Sequence, residues 1–254
     1  MNIVSKFEIV LRKLAQMKSE RLLRKNSELW TTLSAYLEKT KSTGCGYIDY
    51  AFLYKMIRST KPVEILECGT GVSTLVIAHA LMENERETGR GGRVTSMDEH
   101  NVWLDMSRNL LPSEYKKFVD FKVSATVEDR YSIFRGVRYE NIPSRAYDFL
   151  FIDGPKYTSP VDGAITFDFD YLHVLRNSDQ PVGCLIDKRV STCFVLQQLL
   201  GADNCRYSAV LGLGIVRPCT RNDLGSINTL MSSKNFKKSF RLLGNSRLAI
   251  TDNK

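Results

Sequence analysis

Cysteine is scarce and nowhere closely paired in this 254-residue sequence: its six cysteines include no Cys-x-x-Cys. Such pairs are typical of zinc sites and redox motifs, so the sequence predicts no metal site of this kind and no disulfide framework. No stretch holds eighteen uninterrupted apolar residues, which argues against a membrane-spanning helix. The first residues also lack the apolar segment of a secretory signal. We therefore expect a cytoplasmic protein with reduced thiols.

Acidic residues are few at the two ends of the chain. Residues 1–25 contain seven Lys or Arg against two Glu, and residues 226–254 contain six Lys or Arg against one Asp. Each end carries a net charge of +5 within a total of +8, which leaves −2 for the residues between them. Basic ends can contact nucleic acid, anionic lipid or an acidic partner, although a solvated face is the commoner role.

Short apolar runs alternate with helical stretches through the middle of the chain. Strands are predicted at residues 63–67, 93–97, 119–123, 147–152 and 182–186, with a hairpin at 206–217. This alternation predicts an α/β fold, a doubly wound and mostly parallel seven-stranded sheet with an antiparallel C-terminal hairpin strand at its edge. Three parts are expected: a helical extension at residues 1–46, a ligand-binding domain at 47–220 and a basic tail at 221–254.

Several local predictions complete this outline. Residues 3–37 have helical periodicity and a basic face, and we expect this helical extension to pack on the domain, on a partner subunit or against a membrane surface. Residues 125–144 are predicted to form a helix and a loop, and Ser191 to cap the helix that runs to residue 200. The segment after residue 153, with its acidic residues Asp162, Asp168 and Asp170, is predicted to form a substrate lid.

A glycine-rich turn follows the first predicted strand. Its sequence, Glu-Cys-Gly-Thr-Gly-Val-Ser, begins at Glu67 and is followed by a helical pattern. Gly69 and Gly71 allow the backbone to bend and a ligand to lie close to it, and the helix start offers unpaired N–H groups. The dinucleotide fingerprint would place a third glycine where Thr74 stands, which disfavours an NAD-dependent enzyme.

The acidic residue before this turn resembles motif I of the class I S-adenosylmethionine (SAM)-dependent methyltransferases. Their small-molecule O-methyltransferase families offer a second likeness, because Phe-Ile-Asp-Gly-Pro at residues 151–155 is similar to the end of their fourth strand. The resemblance covers about residues 47–218. It implies a Rossmann-like fold, SAM as the cofactor, and methyl transfer to a small-molecule or glycan-like acceptor at oxygen.

The same resemblance assigns cofactor-binding residues at the ends of the predicted strands. The turn is expected to hold the methionine end of SAM, and Asp98 to accept hydrogen bonds from both ribose hydroxyls. Small residues after the third strand would leave room for the adenine ring, and Asp153 would lie close to the methyl group. The expected cofactor-binding residues are Glu67, Gly69, Thr70, Gly71, Ser73, Asp98, Ser124, Ala125 and Asp153.

Asp153 and Asp187 end the fourth and fifth predicted strands and are the candidate catalytic residues. In catechol-type O-methyltransferases the corresponding acids bind a divalent cation, but here Lys188 and Arg189 follow Asp187 and would repel one. No metal is therefore predicted. Instead Asp153 would act as a general base, and Lys188 or Arg189 would bind an anionic group of the substrate. Lys156 and Tyr157, in the lid, are further substrate-binding candidates.

Other functions remain open at this stage. The basic ends would suit an RNA methyltransferase, although no Asn/Asp-Pro-Pro-Tyr/Phe segment, typical of many amino-group methyltransferases, follows the fourth strand. A non-catalytic scaffold with the same fold is a further alternative, and a homo-oligomer is compatible with the sequence. Gly-x-Ser-x-Gly is absent, which counts against an α/β-hydrolase.

Overall fold

The computed structural model describes residues 3–40, 44–225, 239–240 and 242–250. The helices are α1 (Ile3–Arg24), α2 (Ser27–Lys39), α3 (Tyr47–Thr60), α4 (Val72–Thr88), α5 (Asn101–Leu110), α6 (Asp170–Arg176) and α7 (Val190–Leu200). The strands are β1 (Glu64–Cys68), β2 (Arg93–Asp98), β3 (Val119–Val123), β4 (Thr126–Tyr131), β5 (Phe134–Tyr139), β6 (Phe149–Ile152), β7 (Phe167–Asp168), β8 (Val182–Asp187), β9 (Cys205–Ser208) and β10 (Leu213–Cys219).

The main sheet has seven strands in the order β3-β2-β1-β6-β8-β10-β9. Strands β3, β2, β1, β6 and β8 pair in parallel, whereas β10 is antiparallel to both of its neighbours. The predicted mostly parallel, seven-stranded sheet with a C-terminal hairpin is thus confirmed. The antiparallel strand lies one position inside the edge, because β9 takes the outermost place.

Each face of this sheet is covered, which explains the continuous apolar runs of its strands. On one face Ile65, Phe149 and Phe151 pack with the buried side chains of α2, α3 and α4. On the other face Leu66 and Ile152 pack with α6, α7 and the second sheet. The carboxyl ends of the parallel strands remain at one edge, where doubly wound sheets bind their ligands.

Two helices, α1 and α2, form the predicted N-terminal helical extension. Asn26 separates them, because its side chain accepts a hydrogen bond from Leu29 N and so caps the start of α2. Leu29 and Leu33 of α2 are fully buried, and α2 packs against α4. No helix within the described ranges is long and apolar enough to cross a membrane.

A second, three-stranded sheet in the order β4-β5-β7 replaces the helix and loop predicted at residues 125–144. The strands were missed because they are polar, and their charges pair across the hairpin. Arg135 on β5 donates to Glu128 on β4, and Arg138 donates to Asp129. Such cross-strand ion pairs let charged residues occupy a sheet.

Two further local predictions are wrong. Arg189, not Ser191, occupies the N-cap position of α7, and no side chain caps that helix. Asp168 and Asp170 do not belong to an exposed lid, because both are fully buried beside β5 and α7. Of the predicted tail at residues 221–254, residues 226–238, 241 and 251–254 lie outside the described residues.

Candidate active site

The backbone of the turn after β1 packs directly against the backbone at the end of β6, with no space between them for a side chain. Gly69 has a φ of +97°, and a Cβ on it would lie 2.9 Å from Asp153 C and from Gly154 N. Its N–H donates to Met97 O on β2 at 2.9 Å. A side chain at this position would be both strained and obstructed. Gly69 is therefore required by the packing of three strand ends.

Glu67 lies beneath this turn, fully buried. Its Oε2 accepts hydrogen bonds from Thr74 Oγ1 at 2.5 Å and from Ser96 Oγ at 2.6 Å, and Ser73 adds a third. Its Oε1 has no hydrogen-bond partner among the described residues. Burial raises the pKa of Glu67 to about 7, although the three hydroxyl groups oppose that shift.

Asp98 lies at the end of the neighbouring strand, and two residues connect it to Glu67. Ser96 contacts both Glu67 and Thr70 Oγ1, the latter at 2.7 Å. The Thr70 N–H in turn donates to Asp98 Oδ2 at 3.3 Å, while His100 N donates to Oδ1 at 2.9 Å. Burial raises the pKa of Asp98. Glu67 and Asp98, the two acids predicted to bind the same ligand, thus lie at the ends of adjacent strands.

The predicted adenine-contacting residues follow β3 beside Asp98. Ser124 is buried, its N–H donates to Asp98 O at 3.1 Å, and its hydroxyl accepts from Asn141 N at 3.0 Å. Ala125 is exposed, and its carbonyl accepts from Glu140 N at 2.8 Å. The segment after β5 therefore holds this loop in place.

Asp153 and Asp187 meet a residue that the sequence analysis did not single out. Cys45 Sγ donates to Asp153 Oδ2 at 3.2 Å and lies 3.9 Å from Asp187 Oδ2. Cys45 belongs to a short Gly-Cys-Gly turn before α3, at the end of the predicted helical extension. A Cβ on Gly44 would lie 2.7 Å from Asp153 Oδ2, so this turn covers the carboxylate closely.

A third acid joins this group from the first turn of α3. Asp49 is 3% exposed and accepts a hydrogen bond from Gly46 N at 2.6 Å. Burial, followed by the charge of Asp187, raises its pKa to about 7. Burial likewise raises the pKa values of Asp187 and Asp153, and the charge of Asp153 adds to the shift of Asp187. No motif in the sequence pointed to Asp49.

Lys188 supplies the positive charge of this cluster. Its Nζ donates to Gly44 O at 2.6 Å and to Asp187 Oδ2 at 3.1 Å, and lies 4.0 Å from Asp49 Oδ2. One ligand atom each from Cys45, Asp49 and Asp187 lie within 4.8 Å of one another, so the three side chains could also surround a cation.

Arg189, Tyr157 and Lys156 lie on the other side of Asp153. The Arg189 guanidinium donates to the buried Asp168 and to Pro155 O, and lies 5.4 Å from the ring centroid of Tyr157. Tyr157 is 40% exposed, and Lys156 is also exposed. The predicted substrate-binding residues therefore surround the end of β6 together with the start of α7.

The strand order, the glycine turn after β1 and the acids at the strand ends define a class I, Rossmann-like architecture. Residues 66–176 match the family model described as "Methyltransferase domain", which runs from within β1 to the end of α6. Residues 66–176 are therefore a methyltransferase domain of the SAM-dependent class. A search of curated protein sequences found no significant match.

Solved structures include more distant likenesses. A methyltransferase-like protein from Silicibacter pomeroyi DSS-3 is 16% identical, with 80% of this chain and 96% of that chain covered and a TM-score of 0.44. The SAH-bound Podospora anserina methyltransferase PaMTH1 is 15% identical, with 91% and 77% covered and a TM-score of 0.34. Likeness at this level does not by itself establish a substrate.

The residues beside the glycine turn fit a cofactor that carries an ammonium group. Glu67 Oε1 is a buried oxygen without a partner in the described part of the chain. An ammonium donor would satisfy that oxygen and favour the ionised carboxylate. This match of donor to acceptor agrees with SAM as the cofactor.

Proposed function

We propose that this enzyme transfers a methyl group from SAM to a hydroxyl oxygen of a small-molecule or glycan-like acceptor. The hydrogen bond from Cys45 Sγ to Asp153 Oδ2 is the observation that carries the proposal. The Cys45 thiol is a weak acid, and it donates a hydrogen bond to the Asp153 carboxylate at the end of β6. A hydroxyl group of the acceptor would donate the same kind of hydrogen bond to Asp153, once the turn that carries Cys45 moves away from the carboxylate.

In this proposal the cofactor is held along the edge that β1, β2 and β3 share. The turn at Gly69, Thr70, Gly71 and Ser73 approaches the methionine end, with Glu67 behind it. Asp98 accepts hydrogen bonds from the ribose hydroxyls, and Ser124 and Ala125 lie beside the adenine ring. SAM supplies a methyl group on a good leaving group, so the protein's work is alignment, exclusion of water and removal of a proton.

Asp153 takes the proton of the acceptor hydroxyl as the oxygen gains its methyl group. Burial raises the pKa of this carboxyl group, while the charges of Arg189 and Lys188 lower it. Asp187 is the second catalytic residue in this proposal. It lies with Asp153 around Cys45, and two neighbouring carboxylates hold a shared proton more readily than one.

Binding of SAM and methyl transfer can be tested separately. We expect SAM to raise the melting temperature of the wild-type protein by several degrees, and Asp98→Ala to abolish the shift. Asp105→Ala, on the exposed surface of α5, is the matched control and should leave the shift intact. Absence of calorimetric SAM binding by the wild-type protein would contradict the assignment of the cofactor site.

Asp153→Asn should keep SAM binding and lose at least a hundredfold in methyl transfer, because the amide cannot take the proton. Transfer of labelled methyl from SAM is measured against panels of hydroxyl compounds, amines and RNA. Incorporation into amines or RNA with none into hydroxyl compounds would refute oxygen as the target.

A further inference from the structure

A cleft of about 250 Å³ opens where α7 begins. Its lining includes Lys188, Arg189 and Arg247, and no acidic residue of the described chain lines it. This composition differs from that of the neighbouring strand ends, where carboxylates predominate. A cleft lined by cations without carboxylates is suited to a negatively charged ligand.

Arg189 offers unused donors to this cleft. Its Nη1 is occupied by Asp168 and Pro155 O, whereas its Nε and Nη2 groups have no hydrogen-bond partner among the described residues. The side chain is 13% exposed and held in place by the buried ion pair with Asp168. A fixed guanidinium edge with two free nitrogens matches the geometry of a carboxylate or phosphate group.

Arg247 reaches the cleft from the C-terminal segment, which is attached to the rest of the protein at defined points. Arg247 N donates to Ser191 Oγ, and Ser191 Oγ donates to Arg247 O, both at 3.1 Å. Ala249 N donates to Ile165 O at 2.7 Å. The exposed Arg247 side chain has no ion pair among the described residues. The backbone around Arg247 is therefore held in place, while its guanidinium group is available to bind an anion.

The start of α7 adds a further favourable contribution. This helix of eleven residues has no side-chain cap, and Ser191 and Thr192 of its first turn line the cleft. An uncapped helix start attracts anions. Arg189 also donates to the carbonyl of Pro155, two residues after Asp153, so the cleft adjoins the proposed general base.

We propose that this cleft binds an oxyanion, a phosphate or carboxylate group, carried by the methyl acceptor. Arg189 and Arg247 clamp the group while the acceptor's hydroxyl lies towards Asp153. The part that concerns the acceptor rests on the proposed function, whereas the anion site can be tested without it. The acceptor class is thereby narrowed to hydroxyl compounds that carry a negative charge.

The test is calorimetric titration of the full-length protein with sodium phosphate and, separately, with sodium acetate, at constant ionic strength in a buffer without oxyanions. We expect the wild-type protein and Arg206→Ala, an exposed arginine on β9, to bind at least one of the two ions equally well. Arg247→Ala should weaken that binding at least fivefold. Arg189→Lys keeps the positive charge but loses the planar guanidinium with its two parallel donors, so it should also weaken binding of the ion.

A preference for phosphate or for acetate identifies the class of oxyanion, and either supports the proposal. No binding of either ion by the wild-type protein would overturn it, as would equal binding by Arg247→Ala, which would indicate an adventitious ion only. Binding should persist with S-adenosylhomocysteine present; mutual exclusion would place the ion in the cofactor site and refute the proposal. SAM binding, measured on the same samples, reports on the proposed function independently.

Discussion

Three buried carboxyl groups have pKa values raised to about 7 or 8. Burial raises the pKa of Glu67 and of Asp49 to about 7, and that of Asp170 to about 8. Each group is held by hydrogen bonds from neighbours, yet each leaves one oxygen without a partner among the described residues. Such groups change protonation close to neutral pH, so a cation that approaches one of them displaces a proton.

For Glu67 this leads to a specific pH dependence of SAM binding. The carboxyl group is neutral below its pKa of about 7 and attracts an ammonium only when it is ionised. SAM affinity should therefore rise from pH 6 to about 7.5. It should fall again above about 8, where an α-amino group loses its proton.

Glu67→Gln should lower SAM affinity about tenfold at pH 7.5 and remove the rise on the acidic side. Isothermal titration calorimetry between pH 6 and 9 measures both effects. Glu64→Gln, at the opposite end of β1, serves as the control. An affinity that is independent of pH in the wild-type protein would show that the Glu67 carboxylate does not contact the cofactor's charge.

At the scale of elements, the short segment between α1 and α2 caps one helix and contacts two others. Asn26 caps α2 through Leu29 N, and its Nδ2 donates to Glu83 Oε1 on α4 at 2.8 Å and to Tyr54 OH on α3 at 3.0 Å. The helical pattern of residues 3–37 concealed this break, because apolar spacing continues across it. A cap is visible in the sequence, but the two contacts with other helices are not.

Asn26→Ala should lower the free energy of unfolding by about 2–4 kcal/mol, since a cap contributes about 1 kcal/mol and a hydrogen bond to a charged group about 1.5–3 kcal/mol. Asn26→Asp keeps the cap but faces Glu83 with a second carboxylate, so its loss should be intermediate. Urea unfolding gives these values. Ser27→Ala, at the next and exposed position, should change stability by less than about 0.5 kcal/mol. Equal loss at both positions would contradict the role given to Asn26.

At the scale of the whole molecule, the N-terminal helices reach the proposed active site. Tyr36 OH at the end of α2 donates to Gly71 O in the glycine turn at 3.4 Å and lies at hydrogen-bond distance, 3.0 Å, from Ser107 Oγ on α5. The Cys45 turn that follows covers Asp153. We infer that residues 3–40 and 44–46, the described part of the predicted extension, fold together with the sheet.

Leu33→Ala tests this inference. Leu33 is fully buried in the cluster that α2 shares with α3 and α4, so the substitution should cost about 2–5 kcal/mol. We expect one unfolding transition at a lower urea concentration, with far-UV circular dichroism and tryptophan fluorescence coinciding. Leu14→Ala, at a 48% exposed position on α1, should have little effect. A separate early transition confined to the helices would mean that they form an independent unit.

The strand–helix alternation was sufficient to predict the doubly wound sheet, and the resemblance of the glycine turn and its preceding acid to motif I implied the SAM-binding class. These features are local: buried parallel strands are continuously apolar, and a turn that approaches a ligand needs glycine. The polar hairpin of β4 and β5 escaped prediction, because cross-strand ion pairs such as Glu128–Arg135 depend on a register that no short window of sequence contains.

Only the tertiary structure brought Cys45 and Asp49 to Asp153 and Asp187, and Arg247 to Arg189. These residues are separated by long stretches of chain, and their own neighbours carry no pattern that marks them. Their proximity follows from how α3 and the C-terminal segment pack on the strand ends. The sequence by itself determined the scaffold and the cofactor. Long-range packing decided which side chains surround the proposed acceptor site, since contacts between distant residues depend on the folded arrangement of the whole chain.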